Sequence, residues 1–222
     1  MPRRLKPLDD PAKQARQVVP ALIELYPSVH CALVHRNPYE LLVATILSAQ
    51  CTDARVNMVT PELFARFPDA SALAKADVSE VETLIHSTGF FRAKAKNLVA
   101  MASIVVEQHA GEIPQVLADL TELPGVGRKT AHVVLGNAFG IASGVVVDTH
   151  VKRLAYRLGL TVKTDPIQVE RDLEVIVPRA EWVNFSHRLI EHGRRTCVAI
   201  RPRCKECQLA QICPKKGVTT SV

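Results

Sequence analysis

Apolar residues recur at helical spacing along most of this chain, and the strict alternation of a half-buried strand is almost nowhere found. Asp9-Asp10 followed by Pro11 reads as a helix start, and Ala12, Ala15, Val18, Val19, Leu22 and Ile23 would line one face of that helix. The turn at Asn37-Pro38 leads into a nearly all-apolar helix over 41–49. Asp77-Val78-Ser79-Glu80 has the reciprocal spacing of a capping box, with Asp in place of Ser or Thr. It opens a helix that Gly89 closes. Another helix runs from about residue 92 to His109 and stops at Gly111, with further starts at Pro114, Arg128, Asp148 and Pro166. The last long helix contains 182–193. Val145-Val146-Val147, between Gly144 and Asp148, reads as a buried connector rather than a strand. No repeat period is visible, which argues against a solenoid, and the expected fold class is all-α.

The 222 residues allow one large or two small domains, with an ordinary share of apolar and charged residues. No apolar run approaches the roughly 20 residues that span a bilayer. The basic start, Met1-Pro2-Arg3-Arg4-Leu5-Lys6, lacks the apolar stretch of a signal peptide, so a cytoplasmic protein with no membrane partner is expected. Formal charge is +6, and segment 194–216 carries all of it: seven basic residues against Glu206, in a chain otherwise balanced. Such a run is often no more than a solvated surface. The functional alternative is an anionic partner, most simply a phosphate backbone.

The same segment holds Cys197, Cys204, Cys207 and Cys213, spaced C-x6-C-x2-C-x5-C. The x2 pair places two thiolates on one turn, and the outer pair can close around a single inorganic centre. Disulfides are disfavoured, because a cytosolic chain of this size neither needs nor keeps them. Four thiolates suit zinc or an iron–sulfur cluster, and spacing does not choose between them. Cys31 and Cys51 lie in apolar stretches and read as small buried hydrophobes.

Leu123-Pro124-Gly125-Val126-Gly127-Arg128-Lys129-Thr130 sits between two helical segments. Pro and two glycines make a tight hairpin whose backbone can come close to a ligand. The helix that follows presents N–H groups and the positive end of its dipole, which suits phosphate. A nucleotide P-loop fails on spacing: Arg128, not Gly, precedes Lys129, and Leu123 stands where the first glycine belongs. Nineteen residues after Lys129 comes Asp148, in Val147-Asp148-Thr149-His150. An aspartate before a helix is commonly a plain N-cap. Its apolar approach, the Lys/Arg-bearing helix behind it and the nearby lysine also suggest a working carboxylate–amine pair.

These segments together resemble the helix–hairpin–helix DNA glycosylase superfamily. Leu123 to Ala131 looks like its hairpin, 147–150 like its catalytic aspartate segment, and the cysteine spacing like the [4Fe–4S] loop of its cluster-bearing members. Leu47-Ser48-Ala49-Gln50-Cys51-Thr52-Asp53 resembles the substrate-side helix end. The likeness covers roughly four-fifths of the chain, with its parts in the superfamily's order. It implies two helical domains with a DNA-binding cleft between them: a central domain over 35–146 carrying the hairpin, and a discontinuous cluster domain from 1–34 plus 147–222. It also implies a [4Fe–4S] cluster on the four cysteines and double-stranded DNA, with damaged bases or abasic sites, as partner. A monomer suffices.

By the same resemblance the activity is that of a bifunctional DNA glycosylase and abasic-site lyase that removes oxidised pyrimidines. Lys129 would form a Schiff base at C1′ of a flipped nucleotide, and β-elimination would cut the strand 3′ to the site. To react, Lys129 must shed its proton, which the helix N-terminus, Arg128 and partial burial would favour. Asp148, ionised, would stabilise positive charge on the sugar. Gly125, Val126, Gly127 and Arg128 would hold phosphate, Lys205 would add a phosphate contact, and Gln50 would fill the gap left by the flipped base. The turn Gly89-Phe90-Phe91-Arg92 occupies the other intercalating loop, where two aromatics replace a smaller aliphatic residue; Phe91 is the expected DNA contact. His132 stands where asparagine is usual, as a core histidine, a phosphate donor or a tuner of Lys129. A monofunctional adenine glycosylase would need a carboxylate at Thr45 and commonly has serine at Lys129. A non-catalytic DNA-binding module would not need the Lys129–Asp148 pair.

Overall fold

The computed structural model describes residues 10–222, so the basic segment 1–9 lies outside the described residues. Among the described residues the secondary structure is helical throughout, with no strand and no helix long and apolar enough to cross a membrane. In chain order the helices are α1 (Pro11–Leu25), α2 (Pro38–Leu47), α3 (Asp53–Arg66), α4 (Ala70–Ala74), α5 (Val78–Ile85) and α6 (Phe91–His109). They continue with α7 (Leu117–Glu122), α8 (Arg128–Phe139), α9 (Thr149–Arg157), α10 (Pro166–Ile176) and α11 (Trp182–Arg195). A 3-10 turn, His86–Thr88, joins α5 to α6.

Local chemistry explains most starts. Asp10, Asn37, Thr52, Asp69, Asp77, Asp148 and Asp165 each turn a side-chain oxygen onto a first-turn N–H. The reciprocal half of the expected box at Asp77 does not form: Glu80 pairs with Arg66 of α3 instead. The predicted start at Pro114 is three residues early. Ile113 and Pro114 are buried and Val116 is extended, so this stretch lies against the core before α7 begins at Leu117. The apolar helix that starts at Pro38 stops at Leu47 rather than 49, where the Ser48 hydroxyl turns back to the Thr45 carbonyl. Helices α3 and α4 are not foreshadowed by the apolar periodicity. Pro61 interrupts the α3 pattern, yet burial of Val56, Thr60, Leu63 and Phe64 holds it helical.

The chain divides into two units, 31–143 and the flanking 10–30 with 144–222. In the first, α2 is buried on every side and packs on α3, α6 and α8, while α4 and α5 pack on α6. Leu41, Leu42, Leu47, Leu63, Leu98, Met101 and Leu135 are fully enclosed there, each worth about 1.5–3 kcal/mol against exposure. In the second, α1, α9 and α10 surround a core of Leu22, Leu154, Leu173, Phe185 and Leu189, with α11 against α1 and α9. The Val145–Val147 stretch is coil, and Val145 and Val146 are buried within it.

Candidate functional site

The hairpin joins α7 to α8. Leu123 and Val126 are buried, and the Val126 N–H bonds to the Leu123 carbonyl at 3.0 Å. These two anchors fix the loop to the core and turn Gly125 and Gly127 outward. Val126 therefore offers a ligand only its backbone. Gly125 has φ +79, and a Cβ there would stand 3.1 Å from Asn97 Cβ, so both conformation and close approach require glycine. Gly127 is the N-cap of α8 and places no capping side chain over the first turn. Arg128 and Lys129 stand exposed in that turn. The partial burial expected of Lys129 is absent, because the lysine leaves the outer face of a helix whose inner face, Ala131, His132, Val134 and Leu135, is the buried one.

In the other unit, coil from Val145 delivers Asp148 to the start of α9. Its Oδ1 accepts from the Val151 N–H at 2.8 Å, and Oδ2 lies 3.0 Å from His150 Nδ1. The carboxylate is thus both an N-cap and a partner of an imidazole, with 16% of the side chain exposed. His150 was not read as functional from sequence. The i,i+2 spacing to Asp148 was visible, but the pairing depends on the cap turning Oδ2 toward the ring. Behind it, α9 and α11 approach so closely that a Cβ at Gly193 would lie 3.1 Å from His150 Cδ2.

Past α11 the chain folds without a helix. Arg157 donates to the Val198 and Ala199 carbonyls at 2.7 Å each, and Arg153 donates to the Gly193 and Cys197 carbonyls at 3.1 Å each. All six cysteines are free thiols. Cys197, Cys204, Cys207 and Cys213 line one cavity, together with Leu158, His192, Pro202 and Val218. Its sulfurs receive N–H donors: Arg157 Nη1 lies 3.4 Å from Cys197 Sγ, and the Lys215 N–H lies 3.4 Å from Cys213 Sγ. Burial pushes the Cys207 and Cys213 thiols up. Lys205 is exposed on this segment, and its N–H bonds to the Val222 carbonyl at 3.2 Å. Of the other basic residues here, Arg195 is paired with Glu191.

Gln50 is exposed at the end of the turn after α2, in the left-handed region with φ 53. At the Gly89 turn the two adjacent aromatics face different ways. Phe91 is half-buried, with its ring 4.4 Å from that of His86 and against the core. Phe90 is the aromatic residue presented to solvent, 66% exposed with φ 49. Two adjacent aromatics are indistinguishable in sequence, and the entry into α6 decides which one turns inward. Thr45 is buried, its hydroxyl donating to the Leu41 carbonyl at 2.7 Å. His132 is buried in α8, with Nδ1 2.7 Å from the Ser143 hydroxyl, which makes it a core histidine in this fold.

Residues 43–179 match the HhH-GPD superfamily base excision DNA repair protein family. Endonuclease III of Synechocystis sp. (strain ATCC 27184 / PCC 6803 / Kazusa) is 56% identical over 210 residues, 95% of this chain and 96% of that protein. The fold is similar to a structure of a non-covalent endonuclease III–DNA complex, with TM-score 0.87 and 41% identity over 92% of this chain and 95% of that one. It is equally similar to a trapped endonuclease III–DNA covalent intermediate in an estranged-adenine complex, with TM-score 0.87 and 41% identity over 92% of this chain and 96% of that one. The hairpin, the capped aspartate and the four cysteines around one cavity thus occur in a chain that belongs to the helix–hairpin–helix DNA glycosylase superfamily, in its endonuclease III family.

Proposed function

We propose that this protein is a bifunctional DNA glycosylase and abasic-site lyase of base excision repair, acting on oxidised pyrimidines in duplex DNA. The observation that carries the reading is Lys129: an exposed amine in the first turn of α8, directly after a glycine hairpin able to hold the adjacent phosphate. The similarity to a trapped endonuclease III–DNA covalent intermediate supports a covalent route.

In this mechanism the hairpin backbone and Arg128 hold phosphate while the damaged nucleotide is flipped from the stack. Gln50 enters the gap, and Phe90, the solvent-facing neighbour of Phe91, wedges the facing strand. The Lys129 lone pair forms a bond to C1′ as the C1′–N bond breaks. The base leaves with that electron pair and takes up a proton, while the attacking nitrogen loses one. The C1′–O4′ bond then breaks, O4′ keeps that pair and takes up a proton, and the ring-opened sugar is an iminium that acidifies the C2′ hydrogen. Its loss drives β-elimination: the C3′–O bond breaks and the 3′ phosphate departs. Water then hydrolyses the iminium and returns Lys129. Dehydration of the exposed amine falls to the bound duplex, since the chain alone leaves it in water. Asp148, held by its cap and by His150, faces positive charge on the sugar as an electrostatic stabiliser.

Cys197, Cys204, Cys207 and Cys213 would ligate a [4Fe–4S] cluster. The four cysteines line one cavity, and a [4Fe–4S] cluster takes four thiolate ligands. When bound, the cluster supplies four covalent links that hold the basic segment in shape. Arg157, Lys215 and the apolar wall stabilise and enclose the ligating sulfurs.

Borohydride reduction during reaction with abasic and oxidised-pyrimidine duplexes tests the mechanism. Wild type is expected to give a covalent adduct on both, and Lys129→Gln none, with DNA binding retained because the hairpin backbone is intact. Trapping by Lys129→Gln at the wild-type rate would assign the nucleophile to another amine.

A further inference from the structure

Lys94 lies one turn into α6, and its side chain runs inward: the residue is only 5% exposed. Its ammonium donates to the Leu47 carbonyl at 2.8 Å and to the Thr88 carbonyl at 2.9 Å. Leu47 is the last residue of α2, and Thr88 the last of the 3-10 turn His86–Thr88. Carbonyls at such ends lack partners along their own helix and carry its negative pole, so one cation serves both.

What these two ends lead into gives the contact its meaning. Three residues past Leu47 stands Gln50, and two past Thr88 stands Phe90. Both are exposed, and both hold left-handed backbone at non-glycine residues, with φ 53 and 49. Such conformations persist where the surroundings over-determine them. Packing alone does not require a lysine at position 94. Methionine would fill similar space without a cation to desolvate, and burial indeed pushes the Lys94 ammonium down from its ordinary value.

We infer that Lys94 is a positioning residue that ties the Gln50 and Phe90 loops into one wedge for entry into the base stack, an inference that rests on the function proposed above. The two loops are 40 positions apart in sequence, and one buried ammonium gives them a common anchor. Insertion of either then costs less, because neither loop has to be ordered separately as the stack opens.

The test compares a lesion in a fully paired duplex with the same lesion in an unpaired bubble, under single turnover. Lys94→Met is expected to slow excision about tenfold on the paired duplex, equivalent to about 1.4 kcal/mol, and to leave the bubble substrate near wild type. Equal losses on both substrates, or no loss on either, would overturn the inference. Excision by wild type on neither substrate would instead overturn the proposed function. A double-mutant cycle on Gln50→Ala and Phe90→Ala keeps the test open if Lys94→Met does not fold. With Lys94 present the two effects on paired DNA are expected to be non-additive by a factor of about three or more, and additive effects would sink the brace.

Discussion

The unit 31–143 and the unit formed by 10–30 with 144–222 hold themselves together in different ways. The first is closed by hydrocarbon: α2 is buried on all sides, and even the hairpin loop is fastened by Leu123 and Val126. The second has an apolar centre around Leu154, Phe185 and Leu189, but its helix-free end is held by guanidinium bonds to three backbone carbonyls and by four thiols around a cavity. Apolar packing persists without any added group, whereas four unlinked thiols around a cavity do not form a firm core. The proposed chemistry follows the same division. The nucleophile stands on a hairpin that needs no cofactor, and the basic segment depends on the cluster the cysteines would hold.

The variants that probe this division have effects of different sizes. Asp148→Asn is expected to reduce base excision by about 10²–10³. Asparagine caps a helix nearly as well as aspartate, so thermal stability should change little. Cleavage of a preformed abasic site should fall less, because no glycosidic bond then has to break. A rate loss matched by a large fall in melting temperature would assign Asp148 to structure alone.

Cys204→Ala separates the units more directly. Wild type purified without oxygen is expected to be brown and to contain about four irons per chain. The variant should lose iron and absorbance, expose 196–222 to protease and bind DNA more weakly, while 31–143 stays protected. Stoichiometric zinc in the wild type, or cleavage spreading through 31–143, would remove the contrast. The smallest effect is expected for Lys205→Ala. It should weaken binding equally on damaged and undamaged duplex and reduce the salt slope by about one unit. A loss confined to damaged DNA would mean that this segment reads the lesion.

Much of the fold was legible because its signals are local. Asp10-Pro11, Asn37-Pro38, Asp148 and Asp165-Pro166 start helices in the structure as their capping chemistry requires. The hairpin was legible for the same reason, since Pro124 and the two glycines specify a turn by backbone conformation alone. Helix α3 was lost because Pro61 breaks the local pattern and long-range burial overrides it. The start at Pro114 was misplaced because burial of Ile113 and Pro114 keeps that stretch extended.

By itself, the sequence determined the helical class, the turn that presents Lys129, the cap at Asp148 and the spacing of the four cysteines. Each rests on neighbours a few positions away, where backbone preference and hydrogen bonding act directly. Only the tertiary structure decided that Phe90 rather than Phe91 faces solvent, that His132 belongs to the core, and that Arg157 reaches Cys197 across 40 positions. Only the fold, likewise, carries Lys94 to the ends of two distant segments. Burial and the partner of a buried polar group are properties of the whole packing, because each depends on what every other segment covers.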